Sequence, residues 1–407
     1  MANTREDLIS IDEASIATLN EIDEGPFELG SESEGFEVEE EEQGEGGEIE
    51  TITEPFDPSK IRISSFQYSI QLLIDRLQND EIDLMPDFQR QGGLWTQKAM
   101  SQLIESLLIR IPLPAFYFDG STESKWLVVD GLQRLTTLKR FMIDQPGLPL
   151  VGLEFLQTEL AGKRYADLSR SLQRRILETQ VTVYVIQEGT PPEVKFNVFK
   201  RINTGGLPLS SQEIRHALYQ GPATDLLKEL AESPLFLEST AHGVKAQRMQ
   251  DRECVLRVLA FLHVPYHSYN TKDLDRFLNS VVQDLNRPEN CAARLSLMSR
   301  FVTSLEWCQA IFEKEAFRKI SRDYYNRRGP INRGLMEAWI YNVDQLREEQ
   351  RHLLLERKGR LRDRFLKLLD VPIFSQSISY GTSSPASIQN RFSGIRHVIR
   401  DTLEEPA

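Results

Sequence analysis

The chain has 407 residues, 40% of them hydrophobic, and a formal net charge of −13. It contains no apolar run of transmembrane length, and Met1-Ala2-Asn3-Thr4-Arg5 opens no signal-peptide core, so a cytoplasmic protein without membrane spans is expected. Its three cysteines, Cys254, Cys291 and Cys308, are too few and too scattered for a disulfide framework or a zinc knuckle and read as buried free thiols.

The charge is concentrated. Residues 1–55 hold 19 Asp and Glu against one basic residue, Arg5, a net of −18. The run Glu37 to Glu50 has too little apolar content to offset the entropy of folding, so residues 1–55 are predicted to be a disordered acidic tail. Such an arm can be a solubilising tether, or it can fold back and compete with nucleic acid for basic surface. Residues 56–239 hold 20 basic and 22 acidic side chains, whereas residues 240–407 hold 27 and 20, a net of +7. The positive charge therefore lies in the C-terminal half.

In chain order, Ser64 or Ser65 is expected to cap a helix through about Asn79, with Ile70, Leu73, Ile74 and Leu77 on one face. A second helix should run from about Gln97 to Arg110 and stop at Ile111-Pro112-Leu113-Pro114. Ala115-Phe116-Tyr117-Phe118 reads as a strand, Asp119-Gly120-Ser121-Thr122 as a turn, and 125–129 as a second strand of the same hairpin. Val181 to Ile186 is a β-branched strand. Helices should follow from Pro191 or Pro192 and from about Ser211, separated by Thr204-Gly205-Gly206. Few strands among many helices indicate an α+β fold. From Ala223 onward the apolar spacing is mainly helical, which divides the ordered chain into residues 56–225 and a helical, basic region 226–407.

The stretch Lys125 to Phe141, KWLVVDGLQRLTTLKRF, concentrates the candidate chemistry. An apolar strand ends at Asp130, and Leu132, Leu135, Leu138 and Phe141 then recur at helical spacing. A strand entering a helix through Asp-Gly points the helix's free N–H groups, and the positive end of its dipole, at the turn. Gly131 would admit a ligand to the backbone, and Arg134 carries a fork suited to phosphate. Asp130 is then a candidate for holding Mg²⁺ or orienting a water, and Gln133 for positioning that water or a phosphate. For a lone D-G-x-Q-R, an N-cap aspartate and a solvated arginine would serve as well.

Two further motifs flank it. Upstream lies Pro86-Asp87-Phe88-Gln89-Arg90 with Trp95; downstream lies Phe199-Lys200-Arg201-Ile202-Asn203-Thr204-Gly205-Gly206. The order P-D-F-Q-R…W, V-D-G-x-Q-R, F-x-R-I-N-T-G-G resembles the N-terminal domain of GmrSD-type modification-dependent restriction endonucleases, domain of unknown function 262, over about residues 60–225. Looser echoes follow at Asp251-Arg252-Glu253-Cys254-Val255-Leu256-Arg257, Pro330-Ile331-Asn332 and Asn390-Arg391-Phe392. The resemblance implies a ParB/sulfiredoxin-like N-terminal domain, with D-G-x-Q-R in a nucleotide pocket and a role in defence against foreign DNA. Candidate catalytic residues are Asp130, Gln133 and Arg134. Candidate nucleotide ligands are Gln89, Arg90, Gly131, Arg134, Asn203, Thr204 and Gly205.

Competing chemistries fare less well. Sulfiredoxin-type thiol chemistry needs a cysteine in the phosphate turn, and none lies between Asp130 and Arg140. None of the six histidines sits in a convincing HNH pattern, and Pro265 separates His263 from His267, so an intrinsic HNH nuclease is not expected. A PD-(D/E)xK reading of Asp87, Glu123 and Lys125 has too long a gap. The expectation is a nucleotide-binding, NTP-hydrolysing component of a restriction system that uses Mg²⁺, targets DNA, including modified DNA, and works with a separate nuclease subunit. A non-catalytic sensor of modified DNA or nucleotide is the alternative, and a ParB-like nucleotide-switched DNA-binding protein a third. Arg322, Arg327 and Arg328, set among Tyr324, Tyr325 and Asn326, are the candidate DNA-backbone ligands.

Overall fold

Phe66 and Tyr68 alternate with polar residues, and that alternation decides the start of the ordered chain. Residues Ile63–Ser69 form strand β1, and helix α1, Ile70–Gln78, begins only after it. The helix expected from Ser64 or Ser65 is thus corrected: the cap is Ser69, whose Oγ accepts from the Leu72 amide at 3.3 Å. The strand wins because all seven of its residues pair antiparallel with Gln180–Ile186, more than a hundred positions away. The computed structural model describes residues 61–84, 95–121, 125–202, 209–320 and 329–404, which belong to one compact unit. The acidic tail lies outside the described residues.

The short strand β2, Ile82–Asp83, comes next. Thr96 caps α2, Gln97–Leu108, which stops before the Ile-Pro-Leu-Pro sequence as expected. Strands β3, Phe116–Asp119, and β4, Trp126–Asp130, are antiparallel. They are followed by α3 (Leu132–Met142), α4 (Gln157–Leu160), α5 (Arg170–Glu178), β5 (Gln180–Ile186), α6 (Pro192–Ile202) and α7 (Ser211–Leu218). The sheet is mixed, in the order β1-β5-β3-β4-β2, with β5 parallel to β3 and β2 parallel to β4. Because side chains alternate along each strand, Phe116, Phe118, Val128, Val181, Val183 and Val185 face α1, α2, α3 and α5. On the other face, Tyr117, Leu127, Val129 and Ile186 pack with Phe196 and Phe199 of α6 and Ile214 of α7. The domain is α+β.

One buried carboxylate ties this half together. Glu105 on α2 accepts from the amides of Glu154, Phe155 and Leu156 at 2.9, 2.7 and 2.7 Å. Burial works to raise its pKa, yet the three amides outweigh burial and hold the carboxyl below its ordinary value.

The C-terminal region is helical: α8 (Pro222–Ala231), α9 (Pro234–Ser239), α10 (Gln250–His263), α11 (Leu274–Asn286), α12 (Cys291–Phe312), α13 (Arg333–Asp344), α14 (Glu348–Glu356), α15 (Lys358–Leu369), α16 (Pro372–Ser377) and α17 (Pro385–Glu404). Helix α10 is buried on nearly every side, with Cys254, Val255, Leu256, Val258, Leu259, Ala260 and Phe261 in the core shared with α12, α13 and α17. Cys254 and Cys308 are buried thiols, and burial pushes Cys254 up to about 11. Cys291 is exposed, contrary to expectation, because it is the first residue of α12. No helix among the described residues is long and apolar enough to cross a membrane.

Candidate functional site

Asp130 ends β4 and Gly131 turns the chain into α3 with φ of +99°, a conformation that side-chain-bearing residues rarely adopt. A Cβ on Gly131 would also lie 2.5 Å from the Phe116 ring, so the missing side chain admits β3 as well as the turn. Gly131 at the N-cap has no side chain with which to cap α3, and the first intrahelical bond runs from the Leu135 amide to Gly131 O at 2.9 Å. The amides of the first turn, Leu132 to Arg134, therefore lie ahead of the helical ladder, at the positive end of its dipole.

Arg134 is not a solvated cation. Its guanidinium is buried, donates to Pro114 O and, at 3.1 Å, to Ala115 O, and meets Asp130 Oδ2 at 2.7 Å. It also lies 4.6 Å from the centre of the Phe116 ring. Burial pushes the Asp130 carboxyl above its ordinary pKa, against the Arg134 charge and the Gly131 amide, which lower it. Burial likewise lowers Arg134 against the pull of Asp130. The pair is a rigid corner post joining β4, α3 and the segment before β3.

Gln133 faces the other way and accepts from the Trp95 amide at 3.1 Å, while the Trp95 ring packs against the sheet core. The segment that carries Gln89 and Arg90 lies outside the described residues, but both of its ends are fixed near this corner. It leaves from β2, whose Asp83 pairs with Leu127 of β4, and returns at Trp95, bonded to Gln133. Asn203, Thr204 and Gly205 are also outside the described residues, between the end of α6 and Leu209, and α6 packs on the Val129 face of β4. The structure thus brings Asp130, Gly131, Gln133 and Arg134 together and fixes the flanks of the other two motifs.

Two residues at this corner were not singled out from the sequence. Tyr117 pairs with Asp130 across β3 and β4, and Val129 is the extra residue of a β-bulge there, since Phe118 pairs with Val128. Tyr117 also stacks on Tyr184 of β5, with ring centres 4.9 Å apart. Burial raises the Tyr117 phenol, and Tyr184 and Asp130 add to the shift. The available signal was the position of each tyrosine, out of phase with Phe116 and Phe118 or with Val183 and Val185.

The three looser echoes converge in the helical region. Glu337 of α13 lies between Arg257 of α10, to which it is hydrogen-bonded, and Arg391 of α17 at 2.5 Å; all three are almost fully buried. Asn332 caps α13 through the Leu335 amide at 2.9 Å and donates to Ile378 O at 2.7 Å. These residues lock helices together. Arg318 is buried against Gly329 O and Thr240 O, and Arg333 approaches Glu253 at 4.0 Å, so these two arginines, which flank the candidate DNA ligands in sequence, face inward. Arg322, Arg327 and Arg328 lie outside the described residues. His263 bonds Asp284 at 2.9 Å. Among the described residues no group of three or more His, Cys, Asp or Glu side chains is placed to hold a metal ion.

No curated protein matches the chain. Residues 71–220, which span α1 and strands β2 to β5, the Asp130–Arg134 corner and the flanks of all three motifs, match the family described as GmrSD restriction endonuclease, N-terminal domain. Over that stretch the chain belongs to the GmrSD restriction endonuclease N-terminal domain family.

Proposed function

We propose that this domain binds a nucleoside triphosphate at the Asp130–Gly131 corner and hydrolyses it as the regulatory step of a DNA-directed restriction or defence system. The observation that carries the reading is the turn into α3, opening at Gly131 at the positive end of the helix dipole beside the half-buried Asp130 carboxylate, inside a domain of a restriction-endonuclease family. The phosphates would meet the amides of Leu132 to Arg134, with Gln89, Arg90, Asn203, Thr204 and Gly205 as candidate ligands from the flanking segments. Mg²⁺ would arrive with the nucleotide, and Asp130 offers one carboxylate towards it. A ParB/sulfiredoxin-like kinship belongs to the same proposal, as do DNA contacts through Arg322, Arg327 and Arg328 and a separate nuclease partner.

A second reading has one specific observation in its favour. The Arg134 fork is committed to Asp130, Pro114 O and Ala115 O, which suits a preformed binding pocket better than a cation free to stabilise charge in a transition state. On that reading the domain senses a nucleotide or a modified base without turning it over. Phosphate release from the four NTPs, with and without DNA, tests the two against each other. Hydrolysis by the parent, slowed in Asp130→Asn with binding retained, supports the enzyme. Binding without release supports the sensor, and absence of both removes the nucleotide from the account.

A further inference from the structure

Four polar side chains stand in one row across the sheet. Ser65 pairs with Tyr184, Tyr184 with Tyr117, and Tyr117 with Asp130, on four consecutive strands β1, β5, β3 and β4. Directly paired residues share a face, so the hydroxyls of Ser65, Tyr184 and Tyr117 and the Asp130 carboxylate belong to one strip. At about 4.8 Å per strand the strip is roughly 14 Å long. Its surroundings make it unusual. Towards α6 the same face carries Ile186, Leu127 and Val129, all packed under Phe196 and Phe199. Towards the other end it is open, with exposed Gln67 bonded to Thr182 at 3.0 Å. Among the described residues neither tyrosine hydroxyl has a hydrogen-bond partner, although both rings are half-buried.

We propose that Tyr117 and Tyr184 form the nucleoside-binding wall of the site, contacting the sugar or the base edge of a nucleotide whose phosphates lie at the Gly131 corner. This deepens the nucleotide reading and rests on it. The chemistry divides along the strip. The corner presents amides at a helix N-terminus, which suit phosphate. The tyrosines present neutral hydroxyls that both donate and accept, which suit sugar hydroxyls and base edges. With Tyr117 raised above an already high phenol pKa, no tyrosinate forms near neutral pH to repel the phosphates. The bulge at Val129 brings Asp130 opposite Tyr117, so the carboxylate and the phenol enter the same space.

The test is equilibrium binding to the full chain of the four ribonucleoside triphosphates and, separately, of inorganic tripolyphosphate, each with Mg²⁺. Tyr117→Phe and Tyr184→Phe keep the ring stack and remove one hydroxyl each. Each should weaken the preferred nucleotide by about two- to tenfold, the worth of one hydrogen bond, and leave tripolyphosphate binding unchanged. If both variants bind the nucleotide like the parent, the wall is wrong while the nucleotide reading stands. If tripolyphosphate weakens in step, the tyrosines act on phosphate and the assignment to the nucleoside fails. A parent that binds none of the four nucleotides overturns the nucleotide reading and the wall with it. Should Tyr117→Phe unfold, Tyr184→Phe alone decides.

Discussion

The Asp130 carboxylate and the Arg134 guanidinium meet at 2.7 Å, one helical turn apart, and both are largely shielded from water. Arg134 also holds the carbonyls of Pro114 and Ala115, so it joins the strand before the glycine to the strand beside it. Its role in the fold precedes any role towards a ligand.

Arg134→Ala should therefore destabilise the protein by about 3 kcal/mol, because it leaves the half-buried Asp130 carboxylate without its counter-charge and two carbonyls without their donor. Asp130→Asn retains an acceptor for the guanidinium and should cost about 1 kcal/mol. Urea unfolding of the two variants measures this. An Arg134→Ala protein as stable as the parent would mean that the corner post is not structural.

Glu105 gives a pH signature. Its folded pKa lies below the ordinary carboxylate value, so its stabilisation is fully present above that ordinary value and is lost as pH falls through the lowered one. Glu105→Gln should cost about 2 kcal/mol at neutral pH, the worth of charge-assisted bonds to three amides less the cost of burial. The gap from the parent should shrink below about pH 4. A gap that is the same in acid would assign the loss to packing instead.

Much of this arrangement was legible in the sequence. The β-branched run of β5, the Pro-bounded end of α2 and the Asp-Gly step into α3 are local signals that periodicity and turn chemistry expose. Strand β1 was not, because Ser64 and Ser65 mimic caps and its strand character comes from β5, distant in sequence. The destination of Arg134 was hidden for a similar reason: Pro114 O and Ala115 O reach it only through tertiary packing. The Tyr184–Tyr117–Asp130 row depends on cross-strand register and on a bulge, neither of which a linear motif encodes. The looser echoes were visible as words, yet Glu337, which joins Arg257 to Arg391, lies in none of them.

Glu337→Gln removes the carboxylate that Arg257 and Arg391 share. Two buried guanidinium groups then lose their common counter-charge, and stability should fall by about 3–5 kcal/mol. Thermal unfolding of the variant and of the Arg257→Met, Glu337→Leu, Arg391→Met triple variant separates pairing from packing. If Glu337→Gln melts with the parent, the network is not what holds α10, α13 and α17 together.

Replacing Arg327 and Arg328 by alanine should weaken DNA binding and shallow its log–log salt dependence by about one to two, as expected for two phosphate contacts. Affinity measured from low to moderate salt reads this directly. An unaltered slope would place the DNA contact elsewhere on the chain.

Hydrogen–deuterium exchange, with and without saturating Mg²⁺ and the tightest-binding of the four nucleotides, tests the central claim most directly. The account predicts slowed exchange at the amides of residues 131–135, which open α3, with smaller effects along β3 and β5. Unchanged exchange at those amides in a nucleotide-saturated protein, or protection confined to the helical region, would contradict it.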